Sequence, residues 1–319
     1  MTELEAVTAA RDVIAGRLVR TPVLRLEGRA FSPYLDGLNL VFKLEMFQRT
    51  GSFKIRGVLN KLHNLSAEEK QRGVIGLSSG NHAQALAYGA RLEGLAATIV
   101  MPSFAPPNKV EATRAYGAKV EIVSAEELLS SFERIRDERG LTPVHPFNDE
   151  HIVAGAGTAG LELLEEVPEV DAVLAGIGGG GWISGVATAV KGLKPGCKVY
   201  GAEPEGAPVV RKSLDAGSAQ KLDRVATIAD GLAAPFTGEL VLDRIQRLVD
   251  NVVLVRDAEI LEALKAILEK VKAVVEPSGA ACFAALLSGR VRFPEGSTVA
   301  LMLSGGNVDA ARLRDLLSS

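Results

Sequence analysis

The sequence predicts an α/β fold of two open, mostly parallel sheets covered by helices, with a ligand cleft between them. Three observations carry that expectation. Short apolar runs alternate with helical patterns along most of the chain, the mark of parallel sheets buried on both faces. The alternation stops once, at residues 142–148, which carry Pro143 and Pro146, and then resumes. Polar or glycine-rich turns follow several of the apolar runs, and parallel sheets bind ligands at the carboxyl ends of their strands. A smaller unit, residues 73–144, is expected as an insertion in a larger one built from residues 1–66 and 148–319.

Composition narrows the function classes. A chain of 319 residues with 47% hydrophobic and 24% charged content has enough apolar matter for a large core. The net charge of -3, without a block of like charges, argues against a nucleic-acid or anionic-membrane surface. No apolar run approaches a membrane span, and the acidic N-terminus lacks a basic leader segment. Cys197 and Cys282 are far apart and in no CxxC pattern, so a reducing compartment, the cytoplasm, is expected.

In order, Thr2 and Glu5 form a capping-box pattern before a helical period through Leu4, Val7, Ala10, Val13 and Ile14. Thr21-Pro22 ends that helix. Residues 38–46 read as a strand, and Gly51-Ser52-Phe53-Lys54-Ile55-Arg56-Gly57 leads into a helix ending near His63. Strands follow at 74–77, 97–101 and 119–123, with helices starting after Ser78-Ser79-Gly80-Asn81-His82 and over 109–116 and 126–139. After the proline-bearing connection, strands are expected at 170–175, 198–202, 251–255 and 298–303. Gly178-Gly179-Gly180-Gly181 opens a helix, a periodic helix covers 258–272, and Glu276-Pro277-Ser278-Gly279 turns into another. Residues 226–238 are irregular.

Four turns then fall at the ligand end of the sheets: 51–57, 78–82, 178–181 and 304–307. Lys54 is open to two readings, a solvated surface lysine or a desolvated amine able to form a Schiff base. The tetraglycine is likewise ambiguous. Gly176-x-Gly178-x-x-Gly181, with Glu203 ending the next strand, matches a dinucleotide fingerprint. The same loop can cradle a single phosphate on consecutive N–H groups. A nicotinamide-dependent dehydrogenase uses that loop alone. A phosphorylated aldehyde held by Lys54, with its phosphate in the glycine loop, uses all four turns.

The motif set Ser52-Phe53-Lys54, Ser79-Gly80-Asn81-His82, Gly178 to Gly181, Glu276-Pro277-Ser278-Gly279-Ala280 and Ser304-Gly305-Gly306-Asn307 resembles the serine/threonine dehydratase and serine racemase family. These are pyridoxal-phosphate enzymes of the tryptophan-synthase-β fold, and the motifs run in family order over nearly the whole chain. The resemblance implies Lys54 as the Schiff-base lysine and catalytic base. It implies Phe53 beside the cofactor ring, Asn81 at its O3′, Gly178, Gly179, Gly180 and Gly181 at its phosphate and Ser304 at its ring nitrogen. Ser78, Ser79, Asn81 and His82 match the loop for the substrate carboxylate, with a structural part expected for the His82 side chain. Ser79 also matches the second acid–base of the racemases. The implied reaction is removal of water from L-threonine or L-serine, giving a 2-oxo acid and ammonia. Serine racemisation and 3-hydroxyaspartate dehydration are the alternatives, and a homodimer or homotetramer is implied.

Departures from the family pattern matter too. The family's divalent-cation loop is matched by Glu203 and Ala207, but Val209 stands where an aspartate is expected, so a weaker divalent or a monovalent cation is anticipated. The racemase arginine near the substrate carboxylate aligns near Leu129. Gly155-Ala156-Gly157-Thr158 replaces the commoner Gly-Gln-Gly-Thr. The regulatory domain of biosynthetic threonine dehydratases is expected to be absent.

Overall fold

The computed structural model describes residues 1–105 and 107–318; Pro106 and Ser319, each inside one of the expected units, lie outside that set. Its strands, in chain order, are β1 (Val23–Glu27), β2 (Asn39–Leu44), β3 (Val74–Leu77), β4 (Ala97–Pro102), β5 (Lys119–Val123), β6 (Thr142–Pro143), β7 (Ala172–Gly176), β8 (Lys198–Pro204), β9 (Asn251–Val255) and β10 (Thr298–Leu303). They form a six-stranded sheet, β1-β2-β10-β7-β8-β9, and a four-stranded sheet, β5-β4-β3-β6. Every pairing is parallel except β1 with β2.

Burial on both faces explains the continuous apolar runs. Val299, Leu301 and Leu303 of β10 pack with Phe42, Ile260 and Phe283, while Ala300 and Met302 pack with Val173, Ile183 and Val186 on the other face. β1 was not expected, because its charged residues Arg25 and Glu27 interrupt the apolar pattern. As an antiparallel edge strand it tolerates charge, and Arg25 pairs with Glu169. The helix expected over 258–272 is α-helical only over Asp257–Ala266. A π turn, Ile267–Val271, follows, and Lys272 at φ 60° turns the chain toward Glu276.

The helix Lys54–His63 joins the two sheets. Ile55, Val58, Leu59 and Leu62 pack into the core of the smaller sheet with Leu86 and Ile99. Its other side crosses the helix Glu150–Glu166 at Gly57 and Gly155. A Cβ on Gly57 would lie 2.5 Å from the Ile152 carbonyl oxygen, and one on Gly155 would lie 2.4 Å from that of Arg56. Glu150–Glu166 was not expected as a helix, because its Gly155-Ala156-Gly157 and Ala159-Gly160 carry little apolar periodicity. Those small residues allow close crossing instead. Among the described residues no helix is long and apolar enough to cross a membrane.

Arg56, one turn into that helix, is fully buried. Its Nε and Nη2 donate to Glu45 at 2.8 and 2.9 Å, and its Nη1 and Nη2 donate to Glu162 at 2.7 and 2.8 Å. Lys43, also buried, lies 2.8 Å from Glu162. Burial works against the Arg56 charge, but the two carboxylates outweigh it and raise its pKa. Removing one partner strands the others in a dry interior. Arg56→Met is expected to cost about 3–5 kcal/mol, measured by urea unfolding under far-UV circular dichroism. An unchanged midpoint would show that the cluster adds nothing net.

Candidate active site

A cleft of ≈ 530 Å³ opens between the two sheets. Phe53, Lys54, Ser78, Ser79, Asn81, His82, Gly178 to Gly181 and Ser304 all line it. The four turns therefore meet, although up to about 250 residues separate them in sequence.

Lys54 begins its helix at the floor. Loop 51–53 is tied to the loop after β10: Phe53 N donates to Ser304 O at 3.0 Å and Gly306 N to Gly51 O at 2.9 Å. Lys54 Nζ donates to the Pro146 carbonyl at 2.9 Å and sits 5.1 Å from the Phe53 ring centroid. Phe53 is stacked on Trp182 with centroids 4.1 Å apart. Burial lowers the Lys54 pKa from 10.5 to about 8, and the negative charge of Glu276 limits the fall. The amine is thus desolvated, and its direct partner is a carbonyl rather than a carboxylate.

Two residues that the sequence reading left in supporting positions organise this floor. Asn81 Nδ2 donates to Glu276 Oε1 at 2.6 Å, and Asn307 Nδ2 donates to Asn81 Oδ1 at 2.7 Å. These bonds fix which way the Asn81 amide faces, leaving one of its N–H bonds for a ligand. Glu276 is buried; burial, then repulsion from Asp230, raises its pKa to about 7. Their separations from Asn81, 195 and 226 residues, left no local signal. The connection 142–148, expected only as a link between the units, also takes part in the site. His145 Nδ1 accepts from Phe147 N and Asn148 N at 3.2 and 2.8 Å, which shapes the turn presenting the Pro146 carbonyl to Lys54.

The upper wall is the start of the helix Asn81–Glu93. Its N-cap is Gly80, and no side chain caps it, so its first N–H groups are open to an anion. Ser78 Oγ accepts from Gly80 N at 3.2 Å, within the turn. His82 faces away from this role. Its Nε2 meets the Val144 carbonyl at 3.0 Å, and burial, followed by the positive charge of Lys54, lowers its pKa to about 3. It is a neutral ring tying the helix to the chain after β6.

The tetraglycine shows why each position lacks a side chain. A Cβ on Gly179 would meet the Phe147 ring at 2.4 Å, one on Gly181 the Phe147 carbonyl at 2.7 Å, and Gly180 has φ +101°. Thr237 Oγ1 donates to Gly179 O at 3.0 Å and fixes the loop. Among the described residues the N–H groups of Gly178, Gly179 and Gly180 have no protein acceptor. Unmet donors converging at the uncapped start of the helix Gly181–Leu193 suit a phosphate.

Glu203 is elsewhere. Its carboxylate accepts from Val210 N and Arg211 N at 2.7 and 2.8 Å, at the start of the helix Val209–Ala216. It is buried, which pushes its pKa up to about 8. It is therefore not presented to a ribose, and the dinucleotide reading of the glycine loop loses its acid. Ala207 O, the other member of the expected cation pair, accepts from Val209 N at 3.0 Å and keeps a second lone pair. Among the described residues no three His, Cys, Asp or Glu side chains gather as a metal site. Leu128, next to the aligned Leu129, lines the cleft; Leu129 itself is 62% exposed.

Residues 14–305 match the family profile described as pyridoxal-phosphate dependent enzyme. The chain is 40% identical over 314 residues to the L-threonine ammonia-lyase of Thermotoga maritima, covering 97% of this chain and 76% of that one. It is 42% identical over 325 residues to the serine racemase of Arabidopsis thaliana, covering 99% and 96%. The solved structure of maize serine racemase superposes with a TM-score of 0.92 at 40% identity, covering 99% of this chain and 96% of that one.

The Lys54 environment is testable by pH. Capture of pyridoxal phosphate by cofactor-free protein, followed by visible absorbance, is expected to accelerate through a midpoint near pH 8. Glu276→Gln removes the charge that holds the Lys54 proton, so the midpoint moves to lower pH. A midpoint that stays or rises in the variant would show that Glu276 does not act on this amine.

Proposed function

The chain belongs to the family of pyridoxal-phosphate-dependent enzymes, and from that premise we propose that it is an ammonia-lyase removing water from L-threonine or L-serine. The observation that carries this reading is the buried, carboxylate-free amine of Lys54 beneath two uncapped helix starts. Lys54 Nζ would hold the cofactor's aldehyde carbon, the N–H groups of Gly178 to Gly181 its phosphate, Asn81 its ring hydroxyl and Ser304 its ring nitrogen, with Phe53 beside the ring. When bound, pyridoxal phosphate supplies an electron sink for the pair left on the substrate's Cα.

The remaining chemistry belongs to this chain. The loop of Ser78, Ser79, Asn81 and His82 would receive the substrate carboxylate on the helix N–H groups. Freed from the aldehyde carbon by the substrate's amino group, which takes its place, Lys54 Nζ would take the Cα proton, for which its lowered pKa suits it. The β-hydroxyl would leave as water, the proton that Lys54 Nζ took from Cα balancing the elimination, and the released enamine would hydrolyse with a second water to a 2-oxo acid and ammonia. Ser304 offers a hydroxyl where a carboxylate would hold the ring nitrogen charged, which favours prompt elimination over a long-lived carbanion. The units 1–66 with 148–319, and 73–144, would form the two walls of the cleft, in a homodimer or homotetramer of the cytoplasm.

Relatives named serine racemase support racemisation of serine as a second reading, with Ser79 as the acid–base on the opposite face. One assay separates the readings: 2-oxo acid and D-serine are measured from L-threonine and L-serine. Lys54→Ala is expected to keep the fold and lose turnover by about three orders of magnitude or more. Ser79→Ala is expected to reduce D-serine formation more than elimination. Wild-type protein forming D-serine without 2-oxo acid would overturn the lyase reading.

A further inference from the structure

Taking the lyase reading above as its premise, we infer that the Lys109–Asp230 ion pair makes the cleft selective for monocarboxylic β-hydroxy amino acids and excludes those with a second carboxylate. Lys109 Nζ, on the helix Pro107–Ala115, lies 2.9 Å from Asp230 Oδ2, on the turn Asp230–Leu232 across the cleft. The Asp230 side chain is 62% exposed, whereas that of Lys109 is 16% exposed. Its turn is held in place, since Gly231 N donates to Ser278 Oγ at 2.8 Å.

The rest of the lining leaves a second carboxylate without a partner. Among the described residues lining the cleft, Lys54 and Lys109 are the cationic side chains. Lys54 lies on the floor against the Pro146 carbonyl, and Lys109 is already matched by Asp230. Apolar side chains line it as well, Phe104 and Leu128 from the residues around the smaller sheet and Leu232 and Pro235 from those around the larger. Against these apolar walls a β-carboxylate would lose part of its hydration and would meet the charge of Asp230. Desolvation without a partner and like-charge repulsion both reject it. A hydroxyl with a hydrogen or methyl substituent incurs neither penalty.

The test compares kcat/KM of the holoenzyme for L-threonine and L-threo-3-hydroxyaspartate. Threonine is expected to be favoured by about a hundredfold or more. Asp230→Asn frees Lys109 for the incoming carboxylate and lowers that ratio by about tenfold or more, and adding Lys109→Met abolishes the gain. A wild-type ratio near one, or a ratio unchanged in a folded, cofactor-loaded Asp230→Asn, overturns the inference. A second arm needs no turnover: L-2-aminobutyrate and L-aspartate are titrated against the cofactor absorbance. Aminobutyrate is expected to act at about tenfold lower concentration or better, and Asp230→Asn narrows the gap. If this preference holds while threonine and serine yield no 2-oxo acid, the lyase reading fails and the selectivity stands. If threonine is turned over and aspartate binds as well as aminobutyrate, the selectivity alone fails.

Discussion

The buried guanidinium of Arg56 is the constraint on which the site depends. It lies two residues after Lys54 and is gripped by Glu45, just beyond β2, and by Glu162, on the helix Glu150–Glu166. With Lys43 it makes a cluster in which two fully buried cations face Glu45 and Glu162, with Glu166 3.8 Å from Lys43 at its edge. Apolar residues of similar volume could pack this space at little cost in stability. What the ion pairs add is register: a slip of the helix Lys54–His63 by one residue would leave charges unmatched in a dry interior. The glycines at the same crossing bring the two helix backbones together and leave little slack. The position of the Lys54 amine is thereby set from behind, by contacts that never touch a substrate.

Two lysines, Lys43 fully buried and Lys54 half-buried at the cleft floor, show how partner choice separates structure from chemistry. Lys43 and Lys54 are eleven residues apart, and both have their ammonium groups withdrawn from water. Lys43 meets a carboxylate at 2.8 Å. Lys54 meets a carbonyl, and a carboxylate influences it only at longer range. An ion pair fixes a charge in place, whereas a carbonyl satisfies one N–H and leaves the amine able to release its proton. Residue type alone does not tell the two lysines apart; the carboxylate at hydrogen-bond distance, present for Lys43 and missing for Lys54, does.

Much of the fold was legible because buried strands and the turns after them are local features. β3 is evident from Val74, Ile75 and Leu77 between two breaks, and its bounds agree with the structure. The family followed from several such turns in order. Other parts escaped for physical reasons. Arg25 and Glu27 hid β1, since an edge strand need not look apolar. Small residues hid the helix Glu150–Glu166, since close crossing replaces an apolar stripe. Glu276, Asn307 and the Pro146 carbonyl act only through partners distant in sequence. The Gly176-x-Gly178-x-x-Gly181 spacing was ambiguous for another reason: its glycines answer to Phe147 and a left-handed turn, demands that any tight strand-to-helix loop can make.

The treatment of helix ends ties stability to function. Glu3–Ile14 and Ala67–Arg72, away from the cleft, have complete capping boxes, and Val209–Ala216 has the Glu203 carboxylate on its first N–H groups. Asn81–Glu93 and Gly181–Leu193, which open into the cleft, start at glycines with no side-chain cap. Glycine in place of a capping side chain costs roughly a few tenths of a kcal/mol at each end. That deficit leaves donors oriented and without a side-chain partner in the folded protein. A carboxylate or phosphate arriving there makes bonds that no side chain has to give up first, and the helix dipoles favour its charge. The same absence that weakens the two helices in isolation makes their starts fit to bind two anionic groups in one cleft, with the Lys54 amine below them.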